Sequence, residues 1–274
     1  MDHIALHITV QDPVEIDLLV GQLTQAGYTG FEQPEDGLIA YIPAEAFRPA
    51  DIQALLQGTA YTVQTIAEKN WNALWEQSFS PVRIGDFCAI RAGFHPPVSG
   101  VTHELVITPR MTFGTGHHAT TVSMIRLMQS LSLRGKSVLD MGTGTGILAI
   151  LAQRLGADPV HGIDIDPHAV ENARENAREN GTEMIRFSQG DTVPADGAPY
   201  DCILANIHLE VIVGLLGPLF SHLRGGGWLL VSGILTPDLP RLTAALEHFP
   251  LVRKELLQAG GWSSLCVQKS AQNP

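Results

Sequence analysis

The stretch SVLDMGTGTGILAILAQRLG, residues 137–156, decides the fold. Residues 137–141 are a short apolar run typical of a buried strand, and residues 147–156 carry the apolar pattern of a helix. Between them, the glycines at 142, 144 and 146 suit a sharp turn, because glycine adopts positive φ angles at little steric cost. A strand, a glycine loop and a helix in this order predict a parallel sheet with a ligand site at the start of the helix.

Strands and helices continue to alternate towards the C-terminus. PVHGIDID (159–166) predicts a second strand, and Pro167 starts the next helix. Further strands are predicted at 184–188, 201–207 and 228–232, and further helices at 208–223 and 237–247. This alternation predicts an α/β fold with a doubly wound, seven-stranded sheet. Two final runs, at 251–257 and 263–268, predict a hairpin that supplies an antiparallel edge strand.

The first 67 residues predict a separate, smaller α+β domain. Period-two alternation predicts strands at 4–10, 28–33, 37–42 and 61–66, and helical patterns begin at Pro13 and at Ala50. The order βαββαβ is that of a ferredoxin-like domain. The predicted division is the α+β domain at 1–67, an interdomain connector at 68–103 that Trp71 and Trp75 fasten to a domain, and the parallel-sheet domain at 104–274.

Charge is distributed unevenly along the 274 residues, whose formal net charge is −11. Residues 1–68 hold ten acidic residues against one basic residue, Arg48, and so carry −9 of that total. A broad basic face for nucleic acid is therefore not expected. The acidic segment suits a cationic partner, although ordinary solubilising charge is an equal alternative. In ENARENAREN, residues 171–180, Glu and Arg three residues apart predict a solvated helix face.

Compartment and metal content are constrained by cysteine and histidine spacing. Cys88, Cys202 and Cys266 lie far apart without a CxxC pair, which argues against a disulfide framework and a zinc site. His117 and His118 are adjacent, but no acid or cysteine stands at a ligand spacing, so no metal is expected. The sequence has neither a signal-peptide pattern nor a long apolar run. We expect a cytoplasmic protein with no membrane partner.

The glycine loop favours a ligand without phosphates. GTGTG is GxGxG, whereas the fingerprint for a nicotinamide dinucleotide is GxGxxG, and Ile147 stands where its last glycine would be. Asp164 ends the second strand 18 residues after Gly146, where a carboxylate can accept both hydroxyls of an adenosine ribose. S-adenosylmethionine (AdoMet) fits both features, with Gly142, Gly144, Gly146 and Asp164 as binding candidates. A strand-end cap is the alternative role for Asp164.

Two further segments carry candidate site residues. FGTGHHATT (113–121) is a second glycine loop that runs into a helix, and Thr120 and Thr121 are candidate N-caps whose hydroxyls could also meet a ligand carboxylate. Asn206 follows the fourth strand, where a carboxamide can accept a hydrogen bond from an amine and direct its lone pair. A helix N-cap is the alternative for Asn206, and His208 is not assigned a catalytic role.

The chain resembles the bacterial methyltransferase family that modifies protein eleven of the large ribosomal subunit. The resemblance rests on FGTGHHATT, VLDMGTGTGILAI, GIDIDPHAVENA, ANIHLEVI and VSGIL, and it is strong over residues 101–274. The chain has GHHATT where the family often has GTHPTT, and DMGTGTG where DxGCGSG is frequent, but these swaps keep the glycines and paired threonines. Residues 1–65 match by length and pattern only.

The resemblance implies an AdoMet-dependent enzyme that methylates lysine side chains and the N-terminal amino group of that ribosomal protein. It also implies that the N-terminal domain holds the substrate and that Thr121, Gly142, Asp164 and Asn206 contact the cofactor. Asn206 is the candidate for orienting the reactive nitrogen. The alternatives are an AdoMet enzyme acting on a small molecule, another protein or RNA, a nonenzymatic ribosome-binding module, and a nicotinamide oxidoreductase.

Overall fold

A computed structural model describes residues 2–10, 12–34, 37–56, 58–66, 80–108, 118–194 and 198–271. The chain divides into two compact units, Met1–Phe79 and Ser80–Pro274. Within the described ranges, no helix has the length and apolar character that crossing a membrane requires. The three cysteines are buried free thiols.

The first unit is a four-stranded antiparallel sheet covered by two helices. Its elements are β1 His3–Ile8, α1 Pro13–Gln25, β2 Gly30–Glu32, β3 Leu38–Pro43, α2 Pro49–Leu55 and β4 Tyr61–Ile66, and its sheet order is β2-β3-β1-β4. Alternate residues of β1 and β3, such as Leu6 and Ile42, are buried with Leu23 of α1. The predicted βαββαβ order and ferredoxin-like arrangement are confirmed.

The second unit begins with a small sheet inside the predicted connector. Strands β5 Val82–Ile84, β6 Cys88–Arg91 and β7 His103–Val106 pair in the order β5-β6-β7. Cys88, Ile90 and Leu105 are fully buried in the core of this unit, so residues 80–103 fold with the larger unit. Trp71 and Trp75 lie outside the described residues, and the assignment of domain roles stays a prediction.

The main sheet has seven strands in the order β10-β9-β8-β11-β12-β14-β13, which confirms the predicted doubly wound α/β fold. The elements are α3 Ala119–Gln129, β8 Val138–Met141, α4 Ile147–Arg154, β9 Val160–Asp164, α5 Pro167–Glu179, β10 Arg186–Gln189, β11 Tyr200–Asn206, α6 Leu209–Ser221, β12 Leu223–Leu235, α7 Leu239–Leu246, β13 Leu251–Ala259 and β14 Trp262–Lys269. Strands β8 to β12 run parallel.

The prediction of an antiparallel edge strand was wrong in position. The hairpin forms, but its antiparallel strand β14 lies between β12 and β13, and the edge strand β13 runs parallel to β12. Burial explains the order, because Leu265, Cys266 and Val267 of β14 are almost fully buried. Strand β13 carries the charged residues Lys254 and Glu255, which favour an edge position.

Two apolar layers cover the main sheet. Val138 and Cys202 face the layer that contains α3, α4 and α5, whereas Leu139 and Ile203 face the layer that contains α6 and α7. Strands β8 and β11 are thus buried on both faces, as expected for the centre of a parallel sheet. Their carboxyl ends are the open part of this region, and they position the candidate site.

We expect Gly162→Ala to destabilise the second unit by about 1–3 kcal/mol through overpacking. A Cβ on Gly162 of β9 would lie 2.6 Å from a Phe187 ring carbon and 2.9 Å from Thr143 Oγ1. Gly214→Ala is the matched control, because a Cβ on Gly214 of α6 would meet no described atom within 4 Å beyond its own helix backbone. This variant should be about 0.5–1 kcal/mol more stable than the wild type. Urea unfolding measures both, and equal effects would contradict the packing argument.

Candidate active site

The register of the central strands brings three predicted site residues together. Met141 of β8 pairs with Ala205 of β11 on one side and with Ile163 of β9 on the other. The next residue on each strand is therefore Gly142, Asn206 and Asp164, in a row across the carboxyl edge of the sheet. This edge is where parallel α/β sheets bind ligands.

The glycine loop 142–146 is held by backbone hydrogen bonds. Gly142 N–H and Thr143 N–H both donate to Ile163 O, at 2.8 and 2.9 Å, and Gly146 N–H donates to Thr143 O at 2.9 Å. Gly142, Gly144 and Gly146 have φ angles of 72°, 55° and 81°, which disfavour any other residue. Gly146 is also the N-cap of α4. These hydrogen bonds and φ angles together define the conformation of the loop.

Asp164 joins this loop to the end of β9. Its Oδ2 accepts the Gly144 N–H at 2.8 Å, and its Oδ1 accepts the Asp166 N–H at 3.0 Å. The side chain is partly exposed. The strand-end cap considered from the sequence is thus real. Each carboxylate oxygen keeps a further lone pair, so the same side chain can also accept hydroxyl donors from a ligand.

Asp140 is a buried carboxyl beside the loop, to which the sequence analysis assigned no role. Only 1% of its surface is exposed, and its Oδ2 accepts hydrogen bonds from the Thr143 hydroxyl at 2.7 Å and the Ala149 N–H at 3.2 Å. Burial raises the pKa of Asp140 to about 6, although both hydrogen bonds oppose the shift, and the charge of Asp164 adds to it.

Asn206 has a carboxamide that makes no hydrogen bond within the described part of the chain, and its side chain is partly exposed. The helix N-cap considered from the sequence is not its role, because α6 has His208 as its N-cap. The segment after Asn206 is fixed by sterics. A Cβ on Gly142 would collide with the Ile207 side chain, and one on Gly233 with the Ile207 carbonyl. Gly142, directly after β8, and Gly233 of β12 therefore leave room for Ile207.

The predicted threonine caps of α3 were wrong, because His118 is the N-cap. Its Nδ1 accepts the Thr120 N–H at 3.4 Å and lies 2.7 Å from the Thr120 hydroxyl. The His118 ring also packs edge-on against Trp262, with 4.8 Å between the ring centroids. Thr121 is buried in the first turn of α3. Residues 113–117 of the second glycine loop lie outside the described ranges.

Helix α5 combines a correct prediction with residues that were missed. Arg174 and Arg178 pair with the exposed Glu171, which confirms the solvated face. Asn172, Asn176 and Asn180 occupy the opposite face and are fully or almost fully buried. Their spacing of four residues could have indicated one buried polar stripe, but the Glu and Arg repeat dominated the pattern.

The residues at the rim fit AdoMet. Asp164 offers acceptor oxygens suited to ribose hydroxyls, the Cβ-free loop allows close approach, and the free carboxamide of Asn206 lies beside it. Within the described residues, no three His, Cys, Asp or Glu side chains are grouped as metal ligands. The strand order and this rim define a Rossmann-like, AdoMet-dependent methyltransferase.

Comparison with known proteins specifies the family. Residues 26–270 match the family described as ribosomal protein L11 methyltransferase (PrmA). A relative of that name from Porphyromonas gingivalis is 42% identical, and the match covers 91% of this chain and 89% of the relative. Another from Bacteroides fragilis is 35% identical, and the match covers 91% of this chain and 92% of the relative. A ribosomal protein L11 methylase crystal structure from Lactobacillus delbrueckii subsp. bulgaricus has a TM-score of 0.65 and 29% identity, covering 70% of this chain and all of that one. The chain belongs to the ribosomal protein L11 methyltransferase family.

The buried carboxyl predicts a pH-dependent stability. Because the pKa of Asp140 is about 6 in the folded protein and 3.8 ordinarily, folding disfavours its ionised form. The free energy of unfolding of the wild type should fall relative to Asp140→Asn as pH rises from about 4 to about 6, by about 3 kcal/mol, and stay level above. Urea unfolding across this pH range measures the difference, and parallel pH profiles would contradict it.

Asp201→Asn is the control with the opposite sign. Burial of Asp201 is outweighed by hydrogen bonds from Ser137 and by the charges of Arg224 and Lys136, so its pKa is lowered. The stabilisation that Asp201 contributes is present above the ordinary pKa and is lost as pH falls through the lowered one. The free energy of unfolding of the wild type should therefore rise relative to that of Asp201→Asn as pH rises through the acid range.

Proposed function

We propose that this protein transfers methyl groups from AdoMet to amino groups of ribosomal protein L11, both lysine side chains and the N-terminal α-amino group. Membership of the family and the names of its relatives support the acceptor. The observation that carries the chemistry is the uncommitted carboxamide of Asn206 in line with Gly142 and Asp164 at the sheet edge. An acceptor nitrogen needs such an orienting group.

The cofactor residues are assigned by the chemistry that each offers. Asp164 would hold the ribose hydroxyls through its remaining lone pairs, and the glycine loop with Gly142, Gly144 and Gly146 would let the ligand approach the backbone. Thr121, in the first turn of α3, would meet the carboxylate of the methionine part. Asn206 would contact both the cofactor and the acceptor amine.

Positioning is the main catalytic device. When bound, AdoMet would supply an electrophilic methyl group on a positively charged sulfur, which leaves as a neutral thioether and so needs no acid. Asn206 accepts a hydrogen bond from the acceptor amine and so directs the nitrogen lone pair towards the site. A lysine with an ordinary pKa of ~10.4 must first lose its proton to solvent, and desolvation by the bound ligands would lower that pKa.

The N-terminal unit would hold the substrate. Its first 68 residues carry a net charge of −9, which attracts a substrate that presents lysines. No membrane and no direct nucleic-acid contact enter this proposal, since the chain lacks a net positive charge. We place the protein in the cytoplasm, where its three free, buried thiols suit the reducing conditions.

Intact-mass spectrometry tests the function. Purified ribosomal protein L11 incubated with the enzyme and AdoMet should gain mass in steps of one methyl group, and peptide mapping should place the methyl groups on lysines and the N-terminus. A reaction without AdoMet is the control. AdoMet binding without any mass gain on L11 would reject this acceptor and favour another substrate.

Two rim variants separate orientation from binding. Asn206→Ala should lower kcat by about 10²-fold or more, because the nucleophile loses its orienting group, while AdoMet affinity changes less. Asp164→Ala should weaken AdoMet binding by about 10-fold to 10²-fold, because hydrogen bonds to a charged acceptor are lost. Steady-state kinetics and calorimetry measure the two effects. Wild-type turnover in Asn206→Ala at saturating substrates would remove its catalytic role.

A further inference from the structure

The buried asparagines of α5 bond backbone groups of two different segments. Asn180 is 3% exposed, and its carboxamide accepts the Val106 N–H at 2.9 Å and donates to Val106 O at 2.7 Å. Asn176 is 0% exposed; its Oδ1 accepts the Thr108 N–H at 2.9 Å, and its Nδ2 donates to Thr145 O at 2.9 Å. Asn180 therefore anchors one segment, whereas Asn176 bridges two.

The two segments that Asn176 joins both lead to proposed cofactor residues. Thr145 lies in the glycine loop between Gly144 and Gly146. Thr108 follows β7, and the chain continues from it to the FGTGHHATT motif and to Thr121. Sequence alone does not place these segments together, since residues 108 and 145 are far apart along the chain.

We propose that Asn176 is a positioning residue for the cofactor site: its carboxamide couples the glycine loop 142–146 to the segment at 106–108. This inference rests on the proposed AdoMet site but assigns a role outside it. Asn176 touches no proposed ligand atom and acts through the Thr145 carbonyl. Ile163 and Asp164 of β9 and Asp140 of β8 also hold this loop, and Asn176 supplies a link from α5.

The direction of the two hydrogen bonds makes this role specific for an amide. The carboxamide must accept from Thr108 N–H and donate to Thr145 O at the same time. A carboxylate can accept but cannot donate, so it would face the Thr145 carbonyl with a repelling oxygen. A loop released from this tether samples other conformations, and ligand affinity falls with the fraction of competent molecules.

Calorimetric AdoMet titration of the full-length protein tests the proposal, with folding checked by circular dichroism. Asn176→Ala should raise the AdoMet dissociation constant by about tenfold or more. Asn180→Ala is the matched control, because it removes a buried asparagine from the same stripe but no bond to the glycine loop, and its dissociation constant should stay within about twofold of wild type. Asn176→Ala with wild-type affinity, or an equal loss in Asn180→Ala, would overturn the proposal.

Asn176→Asp tests the donor role directly, with the folded fraction checked by circular dichroism at each pH, and its isosteric side chain serves if the alanine variant does not fold. A buried carboxyl group has a raised pKa, and its protonated form can donate to Thr145 O while accepting from Thr108 N–H. The AdoMet affinity of Asn176→Asp, divided by that of the wild type at the same pH, should therefore recover as pH falls through roughly 7 to 5. A ratio independent of pH would overturn the proposal. Failure of the wild type to bind AdoMet would instead refute the proposed function.

Discussion

The hydrogen bond from Gly144 N–H to the Asp164 carboxylate is the contact on which the site depends. It fastens the turn after β8 to the end of β9, and Ile163 O receives two further donors from the same turn. Asp164 remains partly exposed and keeps further lone pairs on both carboxylate oxygens. One carboxylate can thus serve both the fold and the proposed ligand, so the two roles considered for it are compatible.

Local patterns were sufficient wherever a residue's role depends on its sequence neighbours. Pro13 and Pro167 start helices as predicted, and the strand at 61–66 has the predicted bounds. The parallel, doubly wound sheet followed from alternation with helices, and the glycine loop followed from three glycines between a strand and a helix. Gly142, Asp164 and Asn206 were brought together because consecutive parallel strands end at one edge.

The features that the sequence did not predict depend on contacts between distant residues. His118 caps α3 instead of Thr120 or Thr121, and its ring lies against Trp262 of the final hairpin. Asn176 reads as a polar residue in a charged repeat until its partners at 108 and 145 are known. The position of β14 inside the sheet likewise depends on how much of each hairpin strand is buried, which periodicity alone does not decide.

Because β14 lies inside the sheet and β13 at its edge, the two edge strands of the main sheet are β13 and β10. Strand β13 places Lys254 and Glu255 at one margin, and the opposite margin is the four-residue strand β10 with the exposed Arg186. Short or charged margins are poor templates for an additional strand from another molecule. The buried strand β14 is paired on both sides, by β12 and by β13. At the edge of the sheet it could pair with a strand of another molecule, so its interior position reduces the tendency to aggregate.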